Sequence, residues 1–264
     1  MGGRTRDFAG ISDFERMAAL HWQAVERSAL GGWLLRAAGG FTGRANSALP
    51  LGDPGMTPAG AVAAVAEWYR ARRLPPMIQL PMRLDEGALD GPLDRVLDER
   101  GWRLRPGPAV VMTAGSAAVG RHAGDSGIVL AGEPDRRWLA RYRYRGADLP
   151  PVARSLLLSA PVQVFASARR HGETVAIGRL SLADGWGGLT AIEVDPAWRR
   201  AGLGTAVTAA LAAEASRRGA TRIFLQVEER NGAARALYRR CGFTDRHRYH
   251  YRIAPDSGDQ RAAT

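Results

Sequence analysis

The sequence predicts an α+β fold made of two similar halves, each with a mixed central sheet flanked by helices. The chain has 264 residues, 45% of them hydrophobic, which is enough for one large core or two ordinary ones. Strand-like and helix-like periodicities follow one another along the chain. At an offset of 145 residues, the segment 61–82 matches the segment 206–227. A repeat of this kind predicts a duplicated architecture.

The first elements of the second half form an antiparallel meander in outline. GIVLAG predicts a short strand, and helices are predicted over 135–145 and 151–158. Three strand-like runs follow, PVQVFASA, ETVAIGRLSLA and GLTAIEVDP, separated by the turns RRHG and ADGWG. The last of these strands leads directly into a glycine-rich turn.

The remaining elements alternate between helix and strand. Leu203, Val207 and Leu211 recur at helical spacing, and Gly219 ends this helix after two arginines. A buried strand, RIFLQV, comes next. A helix over 231–240 and one or two closing strands complete the half.

The first half repeats this order with different chemistry. Arg72 and Arg73 align with the arginines at 217 and 218, and LDERGWRL parallels YRRCGFTD. Where the second half has RRAGLG, the first has DPGMTPAG, without the arginines or the paired glycines. The predicted domains are 1–115 and 127–254, with the small polar segment 116–126 as a linker and 255–264 as a solvated tail.

The charge of the chain and its lack of apparent targeting signals limit the classes of function to consider. The net charge is +11, but all 37 basic residues are arginine and the only asparagines are Asn46 and Asn231, a skew typical of a GC-rich genome. The arginines are spread along the chain and form no zinc-finger, RRM or basic-zipper pattern, so nucleic acid is not expected as the main partner. Neither a signal peptide nor a membrane-spanning run is apparent, which favours a cytoplasmic protein without a membrane partner. Cys241 is expected to be a buried thiol.

The stretch RRAGLGTAV, residues 199–207, indicates an anion site. Glycines at 202 and 204 permit strained dihedrals and close approach of a ligand. The N–H groups at a helix start carry the positive end of its dipole, and arginines 199 and 200 add charge-assisted donors. The alternative is a merely flexible strand-to-helix turn.

AIEVDPAWRRAGLGTAV, followed 27 residues after Gly204 by NGAARALYRRCGF, resembles the GNAT superfamily of acyl-CoA-dependent N-acetyltransferases over about 127–253. The resemblance implies a tandem GNAT-like fold with a degenerate N-terminal copy, and acetyl-CoA as cosubstrate. It implies that a bulged strand contacts the pantetheine arm through Val194, and that Asn231 contacts the same arm besides capping a helix. It also implies that the turn, with Thr205 just beyond it, binds the pyrophosphate of coenzyme A. The turn residues are Arg199, Arg200, Ala201, Gly202, Leu203 and Gly204.

Three residues are candidates for proton transfer. Tyr238 lies two helical turns after Asn231, and a phenol with a pKa of about 10 can protonate a leaving thiolate. A tyrosine that only packs in the core is the alternative. Glu193, in the strand before the turn, is the leading candidate for the base that deprotonates the amine, and it would need partial burial or a bridging water. Glu228 is the second candidate, unless it is a solvated loop charge.

The stretch 31–53 contains candidates for acceptor binding. Strand alternation and a glycine turn predict a hairpin that carries Arg36, Arg44, Asn46 and Ser47. Either arginine could hold an acceptor carboxylate in bidentate fashion, with Asn46 completing the polar contacts. An ordinary hairpin with exposed arginines is the alternative. This stretch and RHRYHYR also resemble an actinobacterial GNAT group in which some members are described as N-acetylglutamate synthases.

The sequence therefore predicts an N-acetyltransferase that transfers an acetyl group from acetyl-CoA to a small amine or amino acid, glutamate among them. The amine attacks directly in a ternary complex, without a metal or a covalent enzyme intermediate. Two alternatives remain open at this point, a protein or peptide amine as the acceptor and a non-catalytic acyl-CoA-binding module.

Overall fold

The computed structural model describes residues 10–87, 91–124, 127–143 and 148–255. These residues fall into two compact units. The first comprises Val110–Arg246, and the second comprises 10–109 together with 247–255. No helix within the described residues is long and apolar enough to cross a membrane.

The first unit is a mixed sheet flanked by helices, as predicted. Its strands are β6 (Ala109–Gly115), β7 (Ile128–Ala131), β8 (Val162–Arg170), β9 (Glu173–Ala183), β10 (Trp186–Val194), β11 (Arg222–Glu228) and the start of β12 (Thr244–Ile253). In the sheet, the strands from β6 to β11 lie in the order β6-β11-β10-β9-β8-β7. Its helices are α4 (Ser116–Gly120), α5 (Arg136–Arg141), α6 (Val152–Leu157), α7 (Leu203–Arg217) and α8 (Gly232–Arg240).

Strands β7 to β10 form the antiparallel meander that the turns predict, and β11 returns parallel to β10. Helix α7 packs closely on this sheet because two strand glycines leave room for it. A Cβ on Gly178 would lie 2.6 Å from Val207 Cγ1, and one on Gly187 would lie 3.2 Å from Ala215 Cβ. Val207 and Ala215 are fully buried, so α7 is held against β9 and β10 by its apolar face.

Within the described residues, the second unit consists of a small three-stranded sheet, three α-helices and a second group of three paired strands. Its elements in chain order are α1 (Ile11–Ala18), β1 (Glu26–Leu30), β2 (Trp33–Ala37), β3 (Leu49–Pro50), α2 (Pro58–Arg70), β4 (Met77–Met82), α3 (Pro92–Glu99) and β5 (Arg103–Leu104). Within this unit, the later part of β12 pairs antiparallel with β4 and β5. A core of apolar side chains from α2, α3, β2 and β4 lies between these elements.

The boundaries differ from the predicted ones in two places. The unit division falls before Val110 rather than after residue 115, and the later part of β12 groups with the N-terminal half. Of the predicted linker 116–126, residues 116–120 form α4, which packs on α7: a Cβ on Gly120 would lie 2.9 Å from Ala213 Cα. Small residues there serve close helix packing rather than flexibility. Residues 256–264 of the predicted tail lie outside the described residues.

Candidate functional site

Strand β10 separates from β11 near its C-terminal end. The parallel pairing of the two strands stops at Leu189 and Leu225. On its other side, the register of β10 with β9 shifts between Thr190 and Glu193, where Ala191 has a φ of 52°. A bulge increases the local twist and bends the strand. The last residues of β10 therefore have free backbone groups facing away from β9, as the bulged-strand prediction requires.

The turn into α7 has the strained backbone that its glycines suggest. Arg200 has a φ of 66° and Gly202, the N-cap of α7, has a φ of 78°. Because α7 begins at Leu203, the N–H groups of its first turn have no acceptor within the helix. Among the described residues, no heavy atom would lie within 4 Å of a Cβ on Gly202. This corner is therefore open to a ligand.

Gly204 has a packing role in addition to the cofactor contact predicted for it, and that contact stays a prediction. It is buried, and a Cβ at this position would lie 2.8 Å from Leu237 Cδ1 and 3.8 Å from Val194 Cγ2. The absence of a side chain at Gly204 allows α8 to pack on the start of α7. Packing requires a residue without a side chain at position 204. At position 202, by contrast, the absence of a side chain leaves an exposed corner open.

Two adjoining pockets extend from this turn. The first, of about 430 Å³, is lined by Val194, Trp198, Arg199, Arg200, Gly202, Leu203, Gly204, Thr205, Ala233, Ala234, Ala236, Leu237 and Arg240. The second, of about 780 Å³, is lined by Arg141, Arg143, Ile192, Glu193, Val194, Pro196, Arg199, Asn231 and Ala233. Three residues, Val194, Arg199 and Ala233, line both pockets. The two pockets therefore adjoin, and together they extend from the glycine turn to Glu193; we call the pair the groove.

Glu193 is the one carboxylate that lines this groove among the described residues. Its Oε2 accepts a hydrogen bond of 3.2 Å from the backbone N–H of Arg143. Burial raises the pKa of Glu193 above its ordinary value, although that hydrogen bond and the guanidinium groups of Arg141 and Arg143 oppose the rise. A raised pKa makes a carboxylate a better proton acceptor.

Asn231 and Glu228 lie beside each other at the start of α8. The Oδ1 of Asn231 accepts a hydrogen bond of 3.1 Å from the N–H of Ala234, so Asn231 is the N-cap that its position predicts, and it also lines the second pocket. Glu228 forms an ion pair with Arg230 at 2.9 Å and lines neither pocket. The pairing with Arg230 is the one that the alternative for Glu228 predicts, but Glu228 is the half-buried last residue of β11 rather than a solvated loop residue.

Tyr238 is 9% exposed and belongs to the core cluster of the first unit, with its ring 5.9 Å from that of Phe243. Burial, and then the nearby Cys241, raise the pKa of its hydroxyl. No hydrogen bond occupies this hydroxyl within the part of the chain that the structure describes. Tyr238 is not among the groove-lining residues, although the adjacent Leu237 is. Cys241 is buried, as expected. Burial raises the pKa of its thiol, and a hydrogen bond with the Thr205 side chain opposes that rise.

The predicted acceptor residues of the second unit are structural. Arg36 is 3% exposed. Its Nε donates to the Ser47 carbonyl at 3.0 Å, and one terminal nitrogen donates to Ser47 Oγ and to Gln79 Oε1, each at 2.9 Å. Ser47 Oγ in turn donates to the Gly43 carbonyl. The guanidinium is therefore used inside the core and is not available to an acceptor carboxylate.

Asn46 and Arg44 are also occupied locally. The Oδ1 of Asn46 accepts from the N–H groups of Ala38 and Gly40, both at 2.8 Å, and its amide nitrogen donates to two carbonyls of the same loop. Arg44 lies over the ring of Trp22, with 5.5 Å from its Cζ to the ring centroid. The predicted acceptor contacts of Arg36, Asn46 and Ser47 are therefore wrong. These side chains fix the loop between β2 and β3.

Sequence reasoning did not select several residues of the groove. They are Arg141, Arg143, Ile192, Pro196, Trp198, Ala233, Ala234, Ala236, Leu237 and Arg240. For the first two, a usable signal was the arginine repeat RYRYR that begins at the last residue of the Trp138 helix. For the alanines, the signal was their small size in the helix that follows Asn231.

Comparisons with known proteins agree on one family. The sequence model described as "Probable histone acetyltransferase Rv0428c C-terminal" matches residues 8–252. An "Uncharacterized N-acetyltransferase YobR" of Bacillus subtilis is 31% identical, covering 92% of this chain and 98% of the relative. The "Probable histone acetyltransferase Rv0428c" of Mycobacterium tuberculosis is 30% identical, covering 95% of this chain and 76% of the relative. The structure of a GCN5-related N-acetyltransferase from Kribbella flavida has a TM-score of 0.67 at 17% identity, covering 94% of this chain and 97% of that one.

Proposed function

Because the chain belongs to the Rv0428c C-terminal family, and with it to the N-acetyltransferases of the GNAT superfamily, we propose that it transfers an acetyl group from acetyl-CoA to the amine of a small molecule. The observation that carries this proposal is the pair of adjoining pockets that extends from the turn at Gly202 to the carboxylate of Glu193. One end offers unpaired helix amides for a diphosphate, and the other end offers a proton acceptor for an amine.

The first pocket fits coenzyme A by two structural criteria. Gly202 has the positive φ and the open Cβ direction that let a phosphate approach the first amides of α7. The bulged end of β10 presents backbone groups to an extended ligand that can add to it as a strand does. Arg199 and Arg200 supply positive charge at the same corner. We assign Val194 and Asn231 to the pantetheine arm.

The acetyl thioester supplies the acyl group, and the protein residues manage the protons. Glu193 accepts a proton from the bound ammonium, directly or through a water, so that the free amine can attack the thioester carbonyl. A C–N bond forms and the C–S bond breaks. Tyr238 protonates the departing thiolate, and the second proton that the attacking nitrogen loses replaces the one that Tyr238 gives up. Burial keeps the phenol of Tyr238 protonated but also makes it a weaker acid, whereas the raised pKa of Glu193 makes its carboxylate a better proton acceptor.

Thiol release from acetyl-CoA with a panel of small amines tests this proposal. We expect amine-dependent turnover by the native chain and a loss of about 100-fold in kcat for Tyr238→Phe, the usual scale for a general acid. Tyr142→Phe, in a buried tyrosine that lines neither pocket, is the matched control. Absence of turnover with every amine would overturn the proposal.

A protein amine is a second candidate acceptor, because the M. tuberculosis relative is named a probable histone acetyltransferase. Including a basic peptide with a lysine side chain and one with a free α-amine in the same panel separates the two. A kcat/KM for either peptide above that of every small amine would favour this second candidate.

We also propose that the two units descend from tandem copies, of which the first has lost its anion site. Shifted by 145 residues, α2 falls on 203–215 within α7, and β4 falls on 222–227 within β11. The start of α2 is closed to an anion, because Thr57 Oγ1 accepts from the N–H of Gly60 and Pro58 has no N–H. We therefore expect calorimetric titration to show one acetyl-CoA per chain. A stoichiometry of two would contradict the loss of the first site.

A further inference from the structure

The second pocket is markedly basic around its single carboxylate. Arg141, Arg143 and Arg199 all line it together with Glu193. Arg199 also lines the first pocket, so it lies where the two pockets meet. Among the residues that the structure describes, no other acidic side chain lines this pocket. The guanidinium groups that line this pocket therefore outnumber the carboxylates that line it.

Arg141 is held in place but incompletely paired. One of its terminal nitrogens lies 2.8 Å from Asp195 Oδ2, and the other oxygen of Asp195 accepts from the N–H of Ala197 at 2.9 Å. The Nε of Arg141 is buried, with no hydrogen-bond partner in the described parts of the chain. A buried donor without an acceptor is costly, so an oxygen of a bound ligand would lower the free energy of this site.

The Arg143 guanidinium can change its partner with little loss of stability. Arg143 pairs at 2.6 Å with Asp148, but both side chains are more than half exposed, and such pairs contribute little to stability. An anionic group in this pocket could therefore recruit Arg143 without breaking a buried contact. Arg199 is exposed and takes part in no ion pair within the described ranges, but the proposed function uses it for the diphosphate.

On these grounds, and resting on the proposed acetyltransferase function, we infer that the acceptor is a small amine that also carries a carboxylate. Its ammonium lies at Glu193 while its carboxylate lies between Arg141 and Arg143. An amine without an anionic group leaves the buried Nε of Arg141 without an acceptor among the described residues. A basic peptide adds like charges to them, which acts against binding. The acceptor contacts predicted for the second unit are thus replaced by residues of the first.

The test compares pairs of acceptors that differ only in the carboxylate. We would measure thiol release with α-amino acids, β-alanine and γ-aminobutyrate, each beside its carboxamide, and with a lysine-containing basic peptide. For at least one pair we expect the acid to have the higher kcat/KM, by roughly 10- to 100-fold, the scale of one charge-assisted hydrogen bond. Arg143→Gln and Arg141→Gln should remove that preference, mainly by raising KM.

A stability measurement and a matched control variant separate specificity from folding. Arg143→Gln keeps the backbone N–H that binds Glu193, so its thermal unfolding should match that of the native chain while its KM for the acid rises. Arg136→Gln changes an exposed arginine of α5, the helix that ends at Arg141. Arg136 lines neither pocket, so this variant should keep the preference for the acid.

The outcomes distinguish the two proposals. If carboxamides are turned over as well as their acids, or if the preference survives in both arginine variants, the inference is wrong while the acetyltransferase function stands. A basic peptide that outperforms every acid would overturn it in favour of a protein acceptor. Absence of turnover with all acceptors would overturn both.

Discussion

Replacing Gly202 with alanine tests the anion site at the start of α7. Gly202 has a φ of 78°, and an L-residue in this conformation costs about 1–2 kcal/mol. The new methyl group would meet no heavy atom within 4 Å among the described residues, so strain is the main contribution to destabilisation. For a chain of this size, each ~1 kcal/mol corresponds to a fall of roughly 2–4 °C in Tm. We therefore expect a fall of about 2–8 °C.

The same methyl group occupies the open side from which a phosphate approaches the helix amides. Losing one charge-assisted hydrogen bond of about 1.5–3 kcal/mol weakens binding by roughly 10- to 100-fold. Gly202→Glu adds bulk and like charge and should abolish binding. Titration calorimetry with acetyl-CoA measures the affinity, and thermal unfolding without ligand measures the stability.

Gly219→Ala is the matched control for backbone strain. Gly219 follows the other end of α7 with a φ of 86°, is exposed, and has no heavy atom of the described residues within 4 Å of its Cβ direction. This variant should lose as much stability as Gly202→Ala and keep its acetyl-CoA affinity. Equal affinities in the two variants would show that the corner at Gly202 does not bind the diphosphate.

Three further predictions concern the proton-transfer groups and the core. Tyr238→Phe should lower kcat about 100-fold with acetyl-CoA affinity unchanged, as measured by thiol release and calorimetry; equal loss of affinity would indicate a packing role alone. In the native chain, kcat/KM should fall with decreasing pH as Glu193 becomes protonated. Because burial raises the pKa of Glu193, the fall should occur at a higher pH than the titration of an ordinary carboxyl group. Glu193→Gln should remove this acidic limb of the pH profile, and a limb that persists in the variant would show that another residue is the base. Arg36→Leu should lower the free energy of unfolding by about 3 kcal/mol in urea unfolding, because it leaves oxygens of Ser47 and Gln79 buried without a donor. Unchanged stability together with a raised KM for the acceptor would instead support a role of Arg36 in acceptor binding.

Much of the second half could be read from local sequence signals. Strand periodicity, the turns and the helix from Leu203 to Arg217 depend on residues close in sequence, and the structure confirms them with small shifts at the ends. The cap at Asn231 and the strained glycine at 202 are likewise local, because a cap or a positive φ is decided within a few residues.

Long-range packing decided the rest. The sequence shows that position 204 has no side chain. Only the close approach of Leu237 on another helix shows that this absence is needed for packing. The sequence likewise determined that Arg36 is basic, and only the fold shows that Gln79, 43 residues away, occupies its guanidinium. Arg141 and Arg143 became candidates because the fold brings them beside Glu193, about fifty residues later in the chain. Such pairings depend on how the elements close on one another, and periodicity and turn chemistry carry no information about that.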